Sequence, residues 1–188
     1  MGRLDEKNKC LRGELYNNKD LYMAKQHQNA INYCYKYNLL KAGQNKKKRK
    51  ILKKILETIP KDIYIEPPFR CDFGLNITIG ERFYSNYNLT ILDCNKVTIG
   101  DNCLIGPNVS IITVNHPQNR TQRNSNLEYA YPIKIGNDVW IGANVIINPG
   151  VTIGDNVIIG SGSVVVKDIA PNSIAVGNPA KIIRKLMQ

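Results

Sequence analysis

Few side chains in this sequence can accept a proton near neutral pH. The chain has two histidines, His27 and His116, and His116 stands at the start of a long polar stretch, residues 115–132. An imidazole, with an unperturbed pKa near ~6.5, is suited to general-base catalysis at neutral pH. A histidine in a loop is commonly a structural residue bonded to backbone, but a polar stretch of this length favours a functional role for His116.

The cysteines and the charges indicate the class of protein less directly. Five cysteines, an odd number without a C-x-x-C pair, argue against a disulfide framework and favour a reducing compartment. The net charge of +11 is concentrated in residues 1–66, which carry +9. Its densest part is the run KKKRK at residues 46–50, which predicts a solvated helix face, with an anion-binding patch as the alternative.

No part of the sequence reads as a membrane segment. No stretch approaches the ~18 consecutive apolar residues that a membrane span needs, and the first residues lack the apolar core of a signal peptide. We therefore expect a cytoplasmic protein without a membrane partner. Nucleic-acid binding through the basic N-terminal segment is a distant alternative from another class of function, and we do not expect a nucleic-acid partner.

The N-terminal third has the pattern of helices. Good helix formers without internal proline predict helices over residues 5–17 and 20–38, and a third over about 45–58. The predicted buried faces are Leu21, Ala24, Ile31 and Tyr35 on the second helix, and Ile51, Leu52, Ile55 and Leu56 on the third. Prolines at 60, 67 and 68 end this region. The sequence thus predicts a helical segment over residues 1–60, followed by a different unit over residues 61–188.

From about residue 77 an aliphatic residue recurs every six positions. The lead residues are Ile99, Ile105, Ile111, Ile135, Ile141, Ile147, Ile153, Ile159 and Val165. The residues four positions after the last six of these are Val139, Val145, Val151, Val157, Ser163 and Ile169. This period fits neither a helix nor the strand spacing of a two-sheet sandwich. It predicts a coil with six-residue sides, whose stacked parallel strands bury a continuous aliphatic core.

The sequence also predicts the corners of the coil and two interruptions of the six-residue repeat. The sides end in glycine, asparagine or aspartate, as in GND at residues 136–138, and these residue types tolerate the positive φ that a corner requires. Ile79 lies 20 residues before Ile99, two more than three repeats, which predicts a bulge or slipped corner between them. A polar loop, residues 114–132, separates coils that are in register on both sides.

Several motifs resemble those of the hexapeptide-repeat acyltransferases, and within them the maltose/galactoside O-acetyltransferase group. They are the repeats themselves, NDVWIG at 137–142, INPGVTIGDN at 147–156, VGNPAK at 176–181, RGELY at 12–16, YIEPPF at 64–69, FYSNYN at 83–88 and HP at 116–117. The resemblance implies a mainly β fold: a left-handed parallel β-helix with a helical N-terminal segment, a protruding loop and a C-terminal segment. It also implies a homotrimer with sites at subunit interfaces, and acetyl-CoA as donor.

The same resemblance assigns roles to residues of the acceptor site. His116 matches the catalytic base of the family, and Asn86 matches the residue that donates to the oxyanion of the transition state. The matches to acceptor-binding positions are Asn18, Asp72, Tyr84 and Asp93. Two departures bear on specificity: Asn18 stands where a relative has aspartate, and Cys94 stands where a galactoside-type relative has a second acid.

The donor site implied by the resemblance lies in the later repeats and the C-terminal segment. The matching positions are Ala143, Ser161, Val166 and Lys167. Trp140 follows the polar loop and is expected either to pack against the pantetheine arm of CoA or to cap a coil. Lys181 and Arg184 are suited to the phosphates of CoA, although Lys181 lacks the forked group of the arginine found in some relatives.

The predicted reaction is transfer of an acetyl group from acetyl-CoA to a sugar hydroxyl of the maltose or glucose type. Direct attack in a ternary complex is favoured because no cysteine has a paired base in the sequence. No metal is required, and a zinc hydratase of the γ-carbonic anhydrase type is excluded because it needs about three histidines. The alternatives within the fold are acetylation of galactosides, serine or amino sugars.

Overall fold

Nineteen short strands, most of them parallel, and four helices form the described part of the chain. The structure, a computed structural model, describes residues 5–187. The helices are α1 (Asp5–Leu11), α2 (Leu21–Asn38), α3 (Asn45–Ile55) and α4 (Arg120–Asn124). The strands are β1 (Tyr16–Asn17), β2 (Ile63–Ile65), β3 (Phe69–Cys71), β4 (Ile77–Ile79), β5 (Phe83–Ser85), β6 (Leu89–Leu92), β7 (Val97–Ile99), β8 (Leu104–Ile105), β9 (Ser110–Ile112), β10 (Val114–Asn115), β11 (Leu127–Ala130), β12 (Ile133–Ile135), β13 (Trp140–Ile141), β14 (Ile146–Ile147), β15 (Thr152–Ile153), β16 (Val157–Ile159), β17 (Val164–Val165), β18 (Ser173–Val176) and β19 (Lys181–Lys185).

The strands stack into three sheets that form the faces of a coil. One sheet has the order β15-β12-β7-β4, and a second has the order β17-β14-β9-β6-β3. The third sheet, in the order β19-β18-β16-β13-β8-β5-β2, is parallel except for β19, which pairs antiparallel with β18. Equivalent residues of successive coils lie in register, as Ile99, Ile135 and Ile153 do. The predicted parallel β-helix of hexapeptide repeats is confirmed.

The core of the coil is the predicted aliphatic ladder. All twelve lead and following residues of the repeats from Ile135 to Ile169 are buried, with 0–4% of their surface exposed. The only polar member, Ser163, donates from Oγ to the carbonyl of Gly160 at 2.5 Å and accepts the N–H of Gly177. Because the burial repeats in every coil, no coil could be stable without its neighbours.

The corners differ from the prediction in one respect. Asparagine and aspartate do adopt positive φ, as Asn102 (58°), Asp138 (57°) and Asn156 (52°) show. The glycine after each lead residue does not. It is needed because the next coil passes too close: a Cβ on Gly142 would lie 2.6 Å from the backbone nitrogen of Ser161.

The N-terminal helices pack on the first coils, with two corrections to the prediction. The first helix ends at Leu11 rather than at 17, because Gly13 (φ 76°) turns the chain into β1. The prediction of which face of α2 is buried is wrong. Leu21 is 86% and Tyr35 66% exposed, and Ala24 and Ile31 are also exposed. The buried residues of α2 are Met23, Ala30, Cys34 and Tyr37.

The buried face of α2 is selected by polar anchors to the coil. The hydroxyl of Tyr37 donates to the carbonyl of Ile65 at 2.5 Å, and the side chain of Asn38 bonds both backbone groups of Phe69. On α3 the prediction is confirmed, since Leu52, Ile55 and the following Leu56 are buried and Ile51 is half-buried. No helix within residues 5–187 is both long and apolar enough to cross a membrane.

One corner of the coil is wider than the others in three successive coils. Ile79, Ser85 and Ile91 keep the six-residue spacing, so the two additional residues before Ile99 lie between β6 and β7. The predicted slipped corner is thereby confirmed. The preceding coil is enlarged at the same corner, between β3 and β4, and in the following coil the polar loop leaves from it. We call residues 72–76, 92–96 and 113–132 the wide corner.

Candidate active site

The wide corner and α2 enclose a pocket of about 510 Å³. The residues around it are Tyr16, Asn18, Met23, Ala24, His27, Gln28, Asp72, Phe73, Cys94, Val114 and Glu128. Two of the predicted acceptor-binding residues, Asn18 and Asp72, are therefore brought together. Two further titratable side chains, His27 and Glu128, join them although the sequence analysis did not select them.

The polar loop that carries His116 has a regular structure. Its two ends form an antiparallel hairpin, β10 with β11, and β11 also pairs with β1. The helix α4 between them is capped by Asn119, whose side chain accepts the N–H groups of Thr121 and Gln122. His116 follows β10 directly, and 56% of its side chain is exposed. The hairpin thus holds the imidazole at the edge of the pocket.

Glu128, on β11, connects His116 to the pocket. Only 14% of its side chain is exposed, and its carboxylate accepts hydrogen bonds from the Tyr16 hydroxyl (2.7 Å) and from the Asn18 amide (2.6 Å). Its Oε1 lies 3.9 Å from Nδ1 of His116. A carboxylate near one ring nitrogen favours the tautomer in which the other nitrogen is free to act as a base. Glu128 is the only acid in residues 115–132, a signal that could have identified it.

Asp72 and His27 form a second acid–imidazole pair in the pocket. Nε2 of His27 lies 3.5 Å from Oδ1 of Asp72. Burial raises the pKa of Asp72, and a charged His27 opposes the rise. The thiol of Cys94 is within 3.5 Å of Oδ2 of Asp72, and burial raises the pKa of Cys94 far above its usual range. Cys94 is therefore a weak donor and not a thiolate nucleophile.

Asp93 lies beneath the pocket and has no exposed surface. Its carboxylate accepts the backbone N–H groups of Asp72, Phe73 and Asn76 at 2.9–3.3 Å. Burial raises the pKa of Asp93 to about 7, although the amides of Phe73 and Asn76 oppose the rise. In this chain Asp93 shapes the corner that carries Asp72. Its direct contact with an acceptor stays a prediction.

Tyr84 and Asn86 lie at a different corner of the coil. Tyr84 is on β5, in the seven-stranded sheet, and is 37% exposed. Asn86 follows β5 and turns towards the five-stranded sheet; its Oδ1 accepts the N–H of Tyr87 at 2.8 Å. The NH2 group of Asn86 has no hydrogen-bond partner within residues 5–187, so it is available as a donor. The structure does not bring Asn86 or Tyr84 to His116 within one chain.

The predicted donor residues lie on the outer surface of the later coils. The backbone N–H of Ala143 donates to Oγ of Ser161 at 3.1 Å, so these two residues are neighbours in adjacent coils. Trp140 is 54% and Val166 43% exposed, and Ser161 and Lys167 are exposed beside them. Lys181 and Arg184 project from β19, all of whose residues are exposed.

The cysteines lie in the interior of the molecule. All five are buried and free. Cys103 points into the core as predicted, donating to the carbonyl of Gly136 at 3.2 Å, and burial raises its pKa to about 11. Within residues 5–187 no three His, Cys, Asp or Glu side chains are grouped as metal ligands.

Family models match three parts of the chain. Residues 132–167 match the bacterial transferase hexapeptide (six repeats), and residues 96–115 match the hexapeptide repeat of succinyl-transferase. Residues 9–60 match the maltose acetyltransferase hexapeptide capping motif. With the parallel β-helix, these matches define the class of the protein as a hexapeptide-repeat transferase.

Known relatives narrow the class. Galactoside O-acetyltransferase of Escherichia coli is 43% identical over 152 residues, which are 81% of this chain and 75% of that protein. The crystal structure of a maltose O-acetyltransferase from Clostridium difficile 630 is 44% identical, covers 100% of both chains and superposes with a TM-score of 0.97. A galactoside acetyltransferase in complex with coenzyme A is 40% identical, with a TM-score of 0.94 over 97% of this chain and 91% of that chain. The chain belongs to the maltose/galactoside O-acetyltransferase family and is an acetyltransferase.

Proposed function

We propose that this acetyltransferase transfers the acetyl group of acetyl-CoA to a hydroxyl of a sugar, of the maltose or glucose type, with His116 as the general base. The observation that carries the proposal is the carboxylate of Glu128. It is held by Tyr16 and Asn18, lies 3.9 Å from His116, and adjoins the pocket that contains Asp72. A base, an acid to orient it, and groups that bind hydroxyls are thus assembled in one place.

The chemistry follows from these groups. A sugar hydroxyl has a high pKa, so its proton leaves as its oxygen bonds to the thioester carbon. The free nitrogen of His116 takes this proton, and the imidazolium is stabilised by Glu128. When the tetrahedral intermediate collapses, the carbon–sulfur bond breaks and His116 returns the proton to the CoA thiolate. Attack is direct in a ternary complex, because the raised pKa values of Cys94 and Cys103 disfavour an acyl-enzyme.

The oxyanion donor comes from a second subunit in this proposal. Asn86 and His116 occupy different corners of one chain, and Asn86 has an unused NH2 group. In a homotrimer with sites at subunit interfaces, His116 of one subunit faces Asn86 of the partner subunit. Removing one such donor typically costs about 3–4 kcal/mol in transition-state stabilisation.

The exposed residues of the later coils fit acetyl-CoA as donor. Lys181 and Arg184 offer two cations for its phosphates, and Trp140 and Val166 offer apolar surface for the pantetheine arm. Ala143, Ser161 and Lys167 form the surface between these groups. A relative of known structure holds coenzyme A, which supports this assignment.

His116→Ala tests the proposal. We expect acetyl transfer to fall by about 10²–10⁴-fold, as for loss of a general base. The melting temperature should stay unchanged because the imidazole is half-exposed. Gln118→Ala, at an exposed residue of the same loop, is the control and should change neither the rate of acetyl transfer nor the melting temperature. Near-wild-type rates in His116→Ala would remove His116 as the base. CoA release should be assayed with sugars, amino sugars and serine, and serine as best acceptor would contradict the sugar assignment.

Subunit mixing tests the shared site. His116→Ala and Asn86→Ala should each be nearly inactive, but coexpressed they should form trimers in which one interface has both residues intact. Random mixing predicts recovery of about one quarter of wild-type activity. A site made within one chain would give no recovery.

A further inference from the structure

A second pocket, of about 470 Å³, lies between α3 and the first strands of the seven-stranded sheet. The charged residues around it are Lys48, Arg49, Lys61, Arg82 and a single acid, Asp62. None of the four cations forms an ion pair with a carboxylate in the described part of the chain. The pocket therefore carries an excess of positive charge.

Lys48 is the unusual member of this set. Its side chain is 95% buried, since only 5% of its surface is exposed. Its Nζ lies 5.3 Å from the centre of the Tyr64 ring and has no hydrogen-bond partner within residues 5–187. The stem of Lys48 is thus buried, while its ammonium reaches the pocket without a carboxylate or hydrogen-bond partner among the described residues, so it is available to an anion bound there.

The location of Lys48 in the helix is also unfavourable for a cation. It lies in the first turn of α3, where the helix dipole is positive and cations are disfavoured. This turn contains no acid, and Gln44 before it makes no side-chain capping bond. The run of residues 46–50 thus breaks a local rule of helix stability. An anion at this end of the helix would balance both the dipole and the lysine.

The rest of the pocket is suited to a sugar ring. Tyr64 and Tyr84 stack in adjacent coils, with ring centres 6.2 Å apart and planes within 3°. Tyr84 is also a predicted acceptor-binding residue, so the charged pocket and the acceptor site share a side chain. Arg49 donates to the carbonyls of Pro60 and Lys61 at 2.9 and 3.0 Å, which fixes the wall of the pocket.

We infer that this pocket binds the phosphate group of a phosphorylated saccharide, with Lys48 as its main contact and with the reacting hydroxyl beyond Tyr84, at the subunit interface of the proposed shared site. The inference rests on the proposed function, because it names the class of acceptor for the same enzyme. The only other phosphate source in the reaction is CoA itself, whose predicted contacts lie on the later coils.

Lys48→Met tests this assignment, since methionine keeps the apolar stem and removes the charge. We expect KM for glucose 1-phosphate to rise roughly tenfold, the loss of one charge-assisted contact, while KM for glucose and for acetyl-CoA stay unchanged. Lys47→Met, an exposed neighbour, is the matched control. Melting temperatures of both variants confirm folding.

Binding of inorganic phosphate, measured by calorimetry without acetyl-CoA, is a readout independent of activity. Weaker binding in Lys48→Met than in wild type supports the site. Equal phosphate binding in the two proteins, equal use of glucose and glucose 1-phosphate by wild type, or a change only in KM for acetyl-CoA would each overturn the inference. Acetylation of glucose would still stand as support for the proposed function in the first two cases.

Discussion

The later coils, residues 133–169, and the earlier coils that contain the wide corner differ in one simple respect. In the later coils the sides from Ile135 to Val165 have six residues each, and every lead residue is buried. In the earlier coils the same three sheets continue, but one corner has additional residues in each coil. We call the later coils the frame. The earlier coils contain the pocket with Asp72 and Glu128.

The difference shows how a repeat fold creates a site. A coil of strictly six-residue sides places each side chain either in the ladder or on the surface, so stacking more coils adds core but no cavity. Additional residues at one corner move the chain outward without disturbing the ladder. When this happens in successive coils, the displaced corners stack, and their polar side chains meet.

The frame should depend on its buried ladder far more than on its outer surface. Ile147→Ala removes a fully buried side chain of β14 and should lower the free energy of unfolding by about 2–5 kcal/mol. Ile146→Ala, the adjacent and 36% exposed residue, should change it by less than about 0.5 kcal/mol. Chemical denaturation measures both. Equal losses of unfolding free energy in the two variants would mean that the alternation of exposed and buried residues along β14 does not define the core.

Substitutions in the wide corner should instead act on the rate of acetyl transfer. In Glu128→Gln we expect kcat to fall by about 10²-fold, less than the ~10⁴-fold loss when a buried triad aspartate is replaced. The reason is that an amide cannot stabilise the imidazolium, although it keeps bonds to Tyr16 or Asn18.

KM for acetyl-CoA should be unchanged in this variant, and Glu128→Asp should recover part of kcat. Glu57→Gln, on the exposed surface after α3, is the control. An unchanged kcat in Glu128→Gln, with normal melting, would remove Glu128 from the positioning of His116.

A further expected effect is the pH dependence of stability from Asp93. Its folded-state pKa is raised to about 7, so the folded protein binds this proton more tightly than the unfolded chain does. The stabilisation is complete below about pH 4 and is lost as the pH rises through 7. Wild type should lose melting temperature over this range, and Asp93→Asn should lose less. Parallel curves for the two proteins would show that Asp93 does not titrate in this way.

Much of the frame could be predicted from the sequence because its cause is local and repeated. The period of six, the buried ladder and the slipped corner after Ile79 all follow from residue spacing. The buried face of α3 followed for the same reason. The buried face of α2 did not, because apolar residues lie on both sides of that helix. The bonds from Tyr37 and Asn38 to the first coil decide between the two sides.

By itself the sequence determined the repeat, the ladder and His116 as a candidate base, since each depends on residue types at fixed spacing. Only the tertiary structure decided which groups surround that base. The pairing of β1 with β11 brings Tyr16 and Asn18 to Glu128 across more than a hundred residues of sequence, and α2 brings His27 to Asp72. The physical reason is that such contacts depend on how elements pack, and nothing in local spacing records the partner that packing selects.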